Sequence, residues 1–197
     1  MSKKEIALET FSMLVLITAI VILFLSGPVS AFGGRLIIIG DSISSTDTSW
    51  PTYIPGAQVM AQPGRLIRDY QPPRDIHSTT GERIVYFLGG NDIGNQSVHG
   101  GNPKIARQLL LDHLHFLTGR GFKVLVVIPP LFDIHNLDQS NRKHRQMFKS
   151  LRGTIKGVEF IDINPVWDTS QTSDGIHPLP SLSKAIAHRI RARLASL

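Results

Sequence analysis

The 197-residue chain has no cysteine, which excludes a disulfide framework, a thiolate metal site and a cysteine nucleophile. It has no internal repeat, so a solenoid or propeller is excluded as well. Histidine stands nowhere at metal-ligand spacing. His113 and His115 are two apart on a predicted helix and point to different faces, and His77, His99, His135, His144 and His188 lack partners, so no metal or other cofactor is expected. Charged residues are few, 18% against 42% hydrophobic, a balance that excludes a disordered tail protein and fits one packed domain.

Charge is missing altogether from Thr10 to Gly34, and Phe11 to Leu25 (FSMLVLITAIVILFL) is apolar enough to enter a bilayer. Lys3 and Lys4 precede this run, so the positive-inside tendency places the remainder of the chain outside the cytoplasm. Two readings of residues 1–34 stand side by side. Gly27-Pro28 followed by Val29-Ser30-Ala31 forms a small-x-small site after which a signal peptidase could cut. Left intact, the uncharged span is long enough to anchor the chain as an N-terminal hydrophobic helix. Either way residues 35–197 are expected to form an exported domain, periplasmic, secreted or membrane-tethered.

That domain alternates strands and helices. Leu36 to Gly40, Gln58 to Ala61, Ile84 to Leu88, Val124 to Ile128 and Val158 to Ile161 are short apolar runs without strict alternation, the pattern of strands covered on both faces. Asn102-Pro103 opens a helix that Gly119 closes, with Ala106, Leu110, Leu114 and Leu117 on one stripe. Further helices are predicted over Ser140 to Lys156 and Ser181 to Leu194. The expectation is an α/β fold, a three-layer αβα sandwich around a five-stranded parallel sheet.

In such a sheet ligands bind beyond the carboxyl ends of the strands. Gly40-Asp41-Ser42-Ile43-Ser44 follows the first strand, Gln62-Pro63-Gly64-Arg65 the second and Gly89-Gly90-Asn91-Asp92 the third. Asp174-Gly175-Ile176-His177-Pro178 follows the last. Each alone reads as a turn or helix cap. Together they place a hydroxyl, a carboxamide, and a His with a carboxylate three residues before it at successive strand ends, the inventory of acyl transfer.

These blocks resemble those of the SGNH or GDSL hydrolases, over the whole chain after the N-terminal segment. GDSIS matches the first block, Gly89-Gly90-Asn91-Asp92 the Gly-x-Asn-Asp block and Asp174 to His177 the Asp-x-x-His block. The first and last blocks are specific, and Gly89-Gly90-Asn91-Asp92 with Asp174-Gly175-Ile176-His177-Pro178 looks most like the thioesterase I and lysophospholipase L1 branch, whereas Pro63-Gly64-Arg65 is closer to some carbohydrate acetylesterases. The resemblance implies a flavodoxin-like fold and a serine esterase that cleaves carboxylic esters, O-acyl or O-acetyl, through an acyl-enzyme. It implies Ser42 as nucleophile, His177 as base and Asp174 as its orienting partner. The oxyanion donors it implies are the backbone N–H groups of Ser42 and Gly64 and the Asn91 amide. Asp41 and Asp92 are read as residues that set their loops by side-chain to backbone hydrogen bonds. Two other functions share the scaffold: an acyltransferase to sugars, and a non-catalytic, membrane-tethered glycan-binding protein.

The formal charge is +6, and it is lopsided. Residues 1–100 carry 7 Lys+Arg against 8 Asp+Glu, residues 101–197 carry 14 against 7. Most of the excess falls on Arg142, Lys143, Arg145, Lys149, Arg152 and Lys156 and on Lys184, Arg189, Arg191 and Arg193, read as the solvent faces of two helices. An anionic lipid or polysaccharide suits an exported domain better than nucleic acid, which is not expected as a partner. The expected partner is a small-molecule, lipid or acylated-glycan ester, the membrane is met only through an uncleaved N-terminal segment, and the domain is expected to be a monomer. Trp50, Tyr53, Phe132 and Ile134 are candidates either to line an acyl pocket or to cap the sheet.

Overall fold

The computed structural model describes residues 34–79, 81–94, 103–133 and 138–197. The N-terminal leader or anchor, the Asn102 cap and Ile134 lie outside the described residues. No helix among the described residues is long and apolar enough to cross a membrane.

Five parallel strands, β1 (Leu36–Gly40), β2 (Ala57–Ala61), β3 (Arg83–Phe87), β4 (Lys123–Ile128) and β5 (Val158–Asp162), form one sheet in the order β2-β1-β3-β4-β5. Period-2 alternation divides each strand between two cores. Ile37, Ile39, Ile84, Tyr86, Val124 and Val126 meet Leu110, Leu114, Phe148 and Leu151 on one face. Leu36, Ile38, Val85, Phe87, Leu125 and Val127 meet Trp50, Leu182, Ile186 and Ile190 on the other. Because both faces are covered at β1, β3 and β4, those strands are near-continuous apolar runs, each buried large side chain contributing about 1.5–3 kcal/mol, whereas the edge strands β2 and β5 are only partly covered.

Among the described residues four α-helices flank the sheet: α1 (Gly90–Gly94), α2 (Pro103–Gly119), α3 (Asp138–Ser150) and α4 (Pro180–Leu194). The α-helix expected to run to Lys156 stops at Ser150, because the chain turns through Leu151–Thr154 and Gly153 takes φ +72°, outside any right-handed helix. Among the described residues the crossovers from β1 to β2 and from β2 to β3 hold only 3-10 turns, at Ser42–Ser44, Trp50–Tyr53 and Ile67–Asp69. Ser, Thr and Asp crowd residues 44–49 and Pro51 follows, residues that satisfy their backbone locally and do not propagate a helix.

Of the arginines assigned to solvent, one is buried and another half-buried. Arg145 is buried: its guanidinium donates to Pro129 O and to both oxygens of Asp162 at the end of β5. Arg189 donates to the Asp162 carbonyl at 2.8 Å. Trp50 is likewise core, donating from Nε1 to Ser44 Oγ at 3.1 Å, and Phe132 is buried edge-on against Trp167. Both therefore cap the sheet.

Candidate active site

The first block folds as it does because of Gly40. A Cβ there would stand 2.4 Å from Ser44 Cβ, so only glycine lets the Ser42–Ser44 turn fold back over the end of β1. Asp41 caps the turn, its Oδ1 accepting from Ile43 N at 3.1 Å. Ser42 is thereby held half-buried at the carboxyl edge, in the first position of a helical turn, where a backbone N–H has no acceptor inside the turn.

The last block is built around one carboxylate. Asp174 Oδ1 accepts from Ile176 N at 3.0 Å and His177 N at 2.8 Å, while Oδ2 lies 2.6 Å from His177 Nδ1. One oxygen shapes the loop and the other orients the imidazole. Gly175 is required: with φ +84°, a Cβ on it would sit 2.7 Å from Asp133 O, so the loop can lie against the segment after β4 only without a side chain. Partial burial pushes the Asp174 carboxyl up, but the hydrogen bonds from His177 and Ile176 outweigh it and hold it below its ordinary value. An ionised carboxylate can only accept, so Nδ1 carries the proton and Nε2 is free to accept. It faces Ser42 Oγ at 3.0 Å. The structure thus joins Ser42, His177 and Asp174, 135 residues apart at their ends of the chain, in one hydrogen-bonded series. Such a series can take the proton of a serine hydroxyl.

The second and third blocks meet beside it. Gly64 takes φ +73° with open space where a Cβ would be, which leaves its surroundings accessible. Asn91, in α1, donates from Nδ2 to Arg65 O at 3.2 Å, and Asp92 Oδ2 accepts from Ile67 N at 3.1 Å. Two bonds therefore tie α1 to the loop that carries Gly64. The Asn91 amide has a second hydrogen beyond the one given to Arg65. Asp41 and Asp92 hold backbone N–H groups as expected, but their environment was not legible in the sequence. Burial pushes the Asp41 carboxyl up to about 7, the Ile43 N–H opposing and the Asp92 charge adding. Burial likewise pushes Asp92 up to about 6.

Sequence reasoning also missed what Arg65 does. Its guanidinium donates to Met60 O and Gln62 Oε1, each at 2.9 Å, and lies 5.7 Å from the centre of the Tyr70 ring. It clamps the turn around Gly64 from within. The only signal was its place next to the second-block glycine.

No family model and no curated protein matches the chain. Solved structures do. A member of the lipolytic protein G-D-S-L family from Veillonella parvula is similar at TM-score 0.67 and 15% identity, covering 83% of this chain and 99% of that one. An acetylxylan esterase from Geobacillus stearothermophilus is similar at TM-score 0.66 and 12% identity, covering 82% and 94%. The C-terminal catalytic domain of a peptidoglycan O-acetyltransferase from Streptococcus pneumoniae gives TM-score 0.57 at 17% identity, covering 83% and 94%. The five-stranded parallel sheet of this chain, with its helices on both faces, is the fold of the SGNH/GDSL hydrolases.

Proposed function

We propose that this chain is an exported serine esterase of the SGNH type, which cleaves a carboxylic ester through an acyl-enzyme. The observation that carries the reading is the contact of His177 Nε2 with Ser42 Oγ at 3.0 Å, backed by Asp174 on Nδ1. His177 takes the proton of Ser42 as Oγ attacks the ester carbonyl, and the tetrahedral oxyanion forms beside Ser42 N, Gly64 N and Asn91 Nδ2. Collapse expels the alcohol, which takes its proton from His177. Water then repeats the sequence on the acyl-enzyme. Asp174 stabilises the imidazolium without taking its proton.

The full chain in a mild detergent should hydrolyse p-nitrophenyl acetate, and Ser42→Ala should remove the activity while leaving the circular dichroism spectrum intact. Activity that persists in Ser42→Ala refutes the assignment. A series of p-nitrophenyl esters from acetyl to palmitoyl reads the acyl preference. With Trp50 and Phe132 committed to the core, a short acyl group is the expected optimum.

Transfer of the acyl group to a sugar is favoured as a second reading by the openness of the site, where the His177 and Asp174 side chains are 40% and 49% exposed. An acceptor hydroxyl can reach the acyl-enzyme as water does. Product analysis with and without a sugar acceptor separates the two. Export, by a cleaved leader or a retained anchor in residues 1–34, is tested by fractionating cells and sequencing the mature N-terminus.

A further inference from the structure

The basic excess of residues 142–156 and of α4 is not spread evenly over two helix faces. Six of its ten cations converge on the outer edge of β5, which among the described residues pairs only with β4. A groove of about 1080 Å³ runs along Val158–Asp162, walled by Arg152 on one side and by Arg189 and Arg193 on the other. At Asp162 it meets a second groove of about 410 Å³, lined by Arg142, Arg145 and Lys149 and by Leu131 and Asn164 at the carboxyl ends of β4 and β5. Six cations thus face two carboxylates, Glu159 and Asp162.

The two carboxylates organise the trench. Asp162 accepts from Arg145 and lies 3.2 Å from Lys149 Nζ, and Glu159 pairs with Arg193. Arg142 and Arg152 remain exposed toward solvent. The floor is a strand edge unpaired among the described residues, whose outward N–H and C=O groups, apart from the Asp162 carbonyl that Arg189 holds, offer donors and acceptors in alternation. Hydroxyl groups suit that floor, and carboxylates or phosphates suit guanidinium walls. A flat bilayer surface would span the mouth of the trench without reaching its floor, whereas a linear chain can lie in it. Its lining includes a single aromatic, Phe160, too few to stack the bases of a single strand.

We infer that this trench binds an acidic polysaccharide and, if the esterase reading holds, that this is the polymer whose ester groups are presented to Ser42. The trench opens at the carboxyl edge of the sheet, where Ser42 and His177 also lie. With β4 and β3 between, β5 stands three strand spacings from β1, roughly 15 Å, a span that a polymer covers with a few sugar units.

Arginines on an open edge also deter strand-to-strand aggregation, but glutamates there would do the same. Reversing the charge therefore separates the two roles. Fluorescein-labelled polygalacturonate is titrated into the full chain, with neutral dextran, duplex DNA and phosphatidylglycerol vesicles in parallel. Polygalacturonate should bind, and weaken steeply between about 50 and 200 mM salt. Arg142→Glu with Arg152→Glu should weaken it by about tenfold or more, while Arg142→Lys with Arg152→Lys retains it. In the Glu pair, kcat/KM on O-acetylated polygalacturonate should fall by a similar factor, with p-nitrophenyl acetate hydrolysis unchanged. Equal binding of dextran, undiminished binding by the Glu pair, or tighter binding of DNA or vesicles would overturn the inference. Ser42→Ala should still bind polygalacturonate, so loss of turnover on the simple ester tests the esterase, and binding alone tests the trench.

Discussion

Asp41 lies beside the proposed nucleophile with a carboxyl that is 1% exposed, one oxygen on Ile43 N and the other, Oδ2, without a partner. Burial lifts it from an ordinary 3.8 to about 7. From 3.8 to about 7 spans about 3 pH units, and at about 1.4 kcal/mol per unit the charged form costs the fold about 4 kcal/mol. The sign follows from proton counts. Between the two values the folded chain holds the proton and the unfolded chain has lost it, so stability falls as pH rises through this window. Below 3.8 nothing is lost; at pH 5 the penalty is about 1.7 kcal/mol and by pH 8 it reaches about 4. Two titratable groups face this carboxyl, Asp92, which raises its value, and His177, which lowers it.

Asp41→Asn keeps the acceptor for Ile43 N and removes the titration. Its buried amide N–H₂ costs about 1–3 kcal/mol at every pH. The difference in stability between Asp41→Asn and the parent should thus grow by about 2–3 kcal/mol in favour of the variant from pH 5 to pH 8. At about 2–4 °C per kcal/mol the two melting curves should separate by roughly 5–10 °C over that range. Thermal unfolding of both full-length proteins by circular dichroism, at half-unit steps of pH, reads this directly. Melting temperatures that run parallel from pH 5 to pH 8 would show that Asp41 does not titrate there and that the reasoning is wrong.

Asp174→Asn should leave the loop bonds to Ile176 and His177 in place but favour the wrong imidazole tautomer, lowering kcat on p-nitrophenyl acetate by about 10²–10⁴-fold with KM little changed. Gly89→Ala forces a side chain at φ +112° to within 2.7 Å of Phe148 Cζ, and should destabilise the fold by about 2–4 kcal/mol in urea titrations. Arg145→Met strips Asp162 of two hydrogen bonds and leaves Lys149 as its one ion-pair partner among the described residues, beside the Asn164 N–H, costing about 2–4 kcal/mol near pH 7. Asp162 is held below its ordinary 3.8, its hydrogen bonds outweighing burial. The contribution it makes is present above that value and lost as pH falls through the lower, folded one, so this variant should lose part of the parent's acid unfolding transition.

β1, β3 and β4 were legible because strands covered on both faces write themselves as short runs of Ile, Val and Leu, a local signal, and the half-covered edge strands β2 and β5 were legible as short runs around Val59-Met60 and Phe160-Ile161 bounded by turn residues. The ends of α2 were marked by proline and glycine and the start of α4 by Pro180, also local. The end of α3 was not, since Phe148, Leu151 and Ile155 keep a core spacing through the turn that Gly153 makes. Where the crossovers lack α-helix, short polar residues closed their hydrogen bonds in 3-10 turns, which periodicity does not register.

The sequence by itself determined the residue types at the strand ends, Ser42, Gly64, Asn91, Asp174 and His177, because motif spacing and turn chemistry are properties of neighbouring residues. Only the tertiary structure decided that His177 Nε2 reaches Ser42 across 135 residues, since that contact depends on the order of strands in the sheet. Charge followed the same division. Counting residues located the excess on two helices, but whether a given cation is solvated, buried on Asp162 or aligned along an open strand edge depends on which elements are neighbours in space. The interactions that set those outcomes, burial and Coulomb attraction across a few ångströms, have no counterpart along the chain.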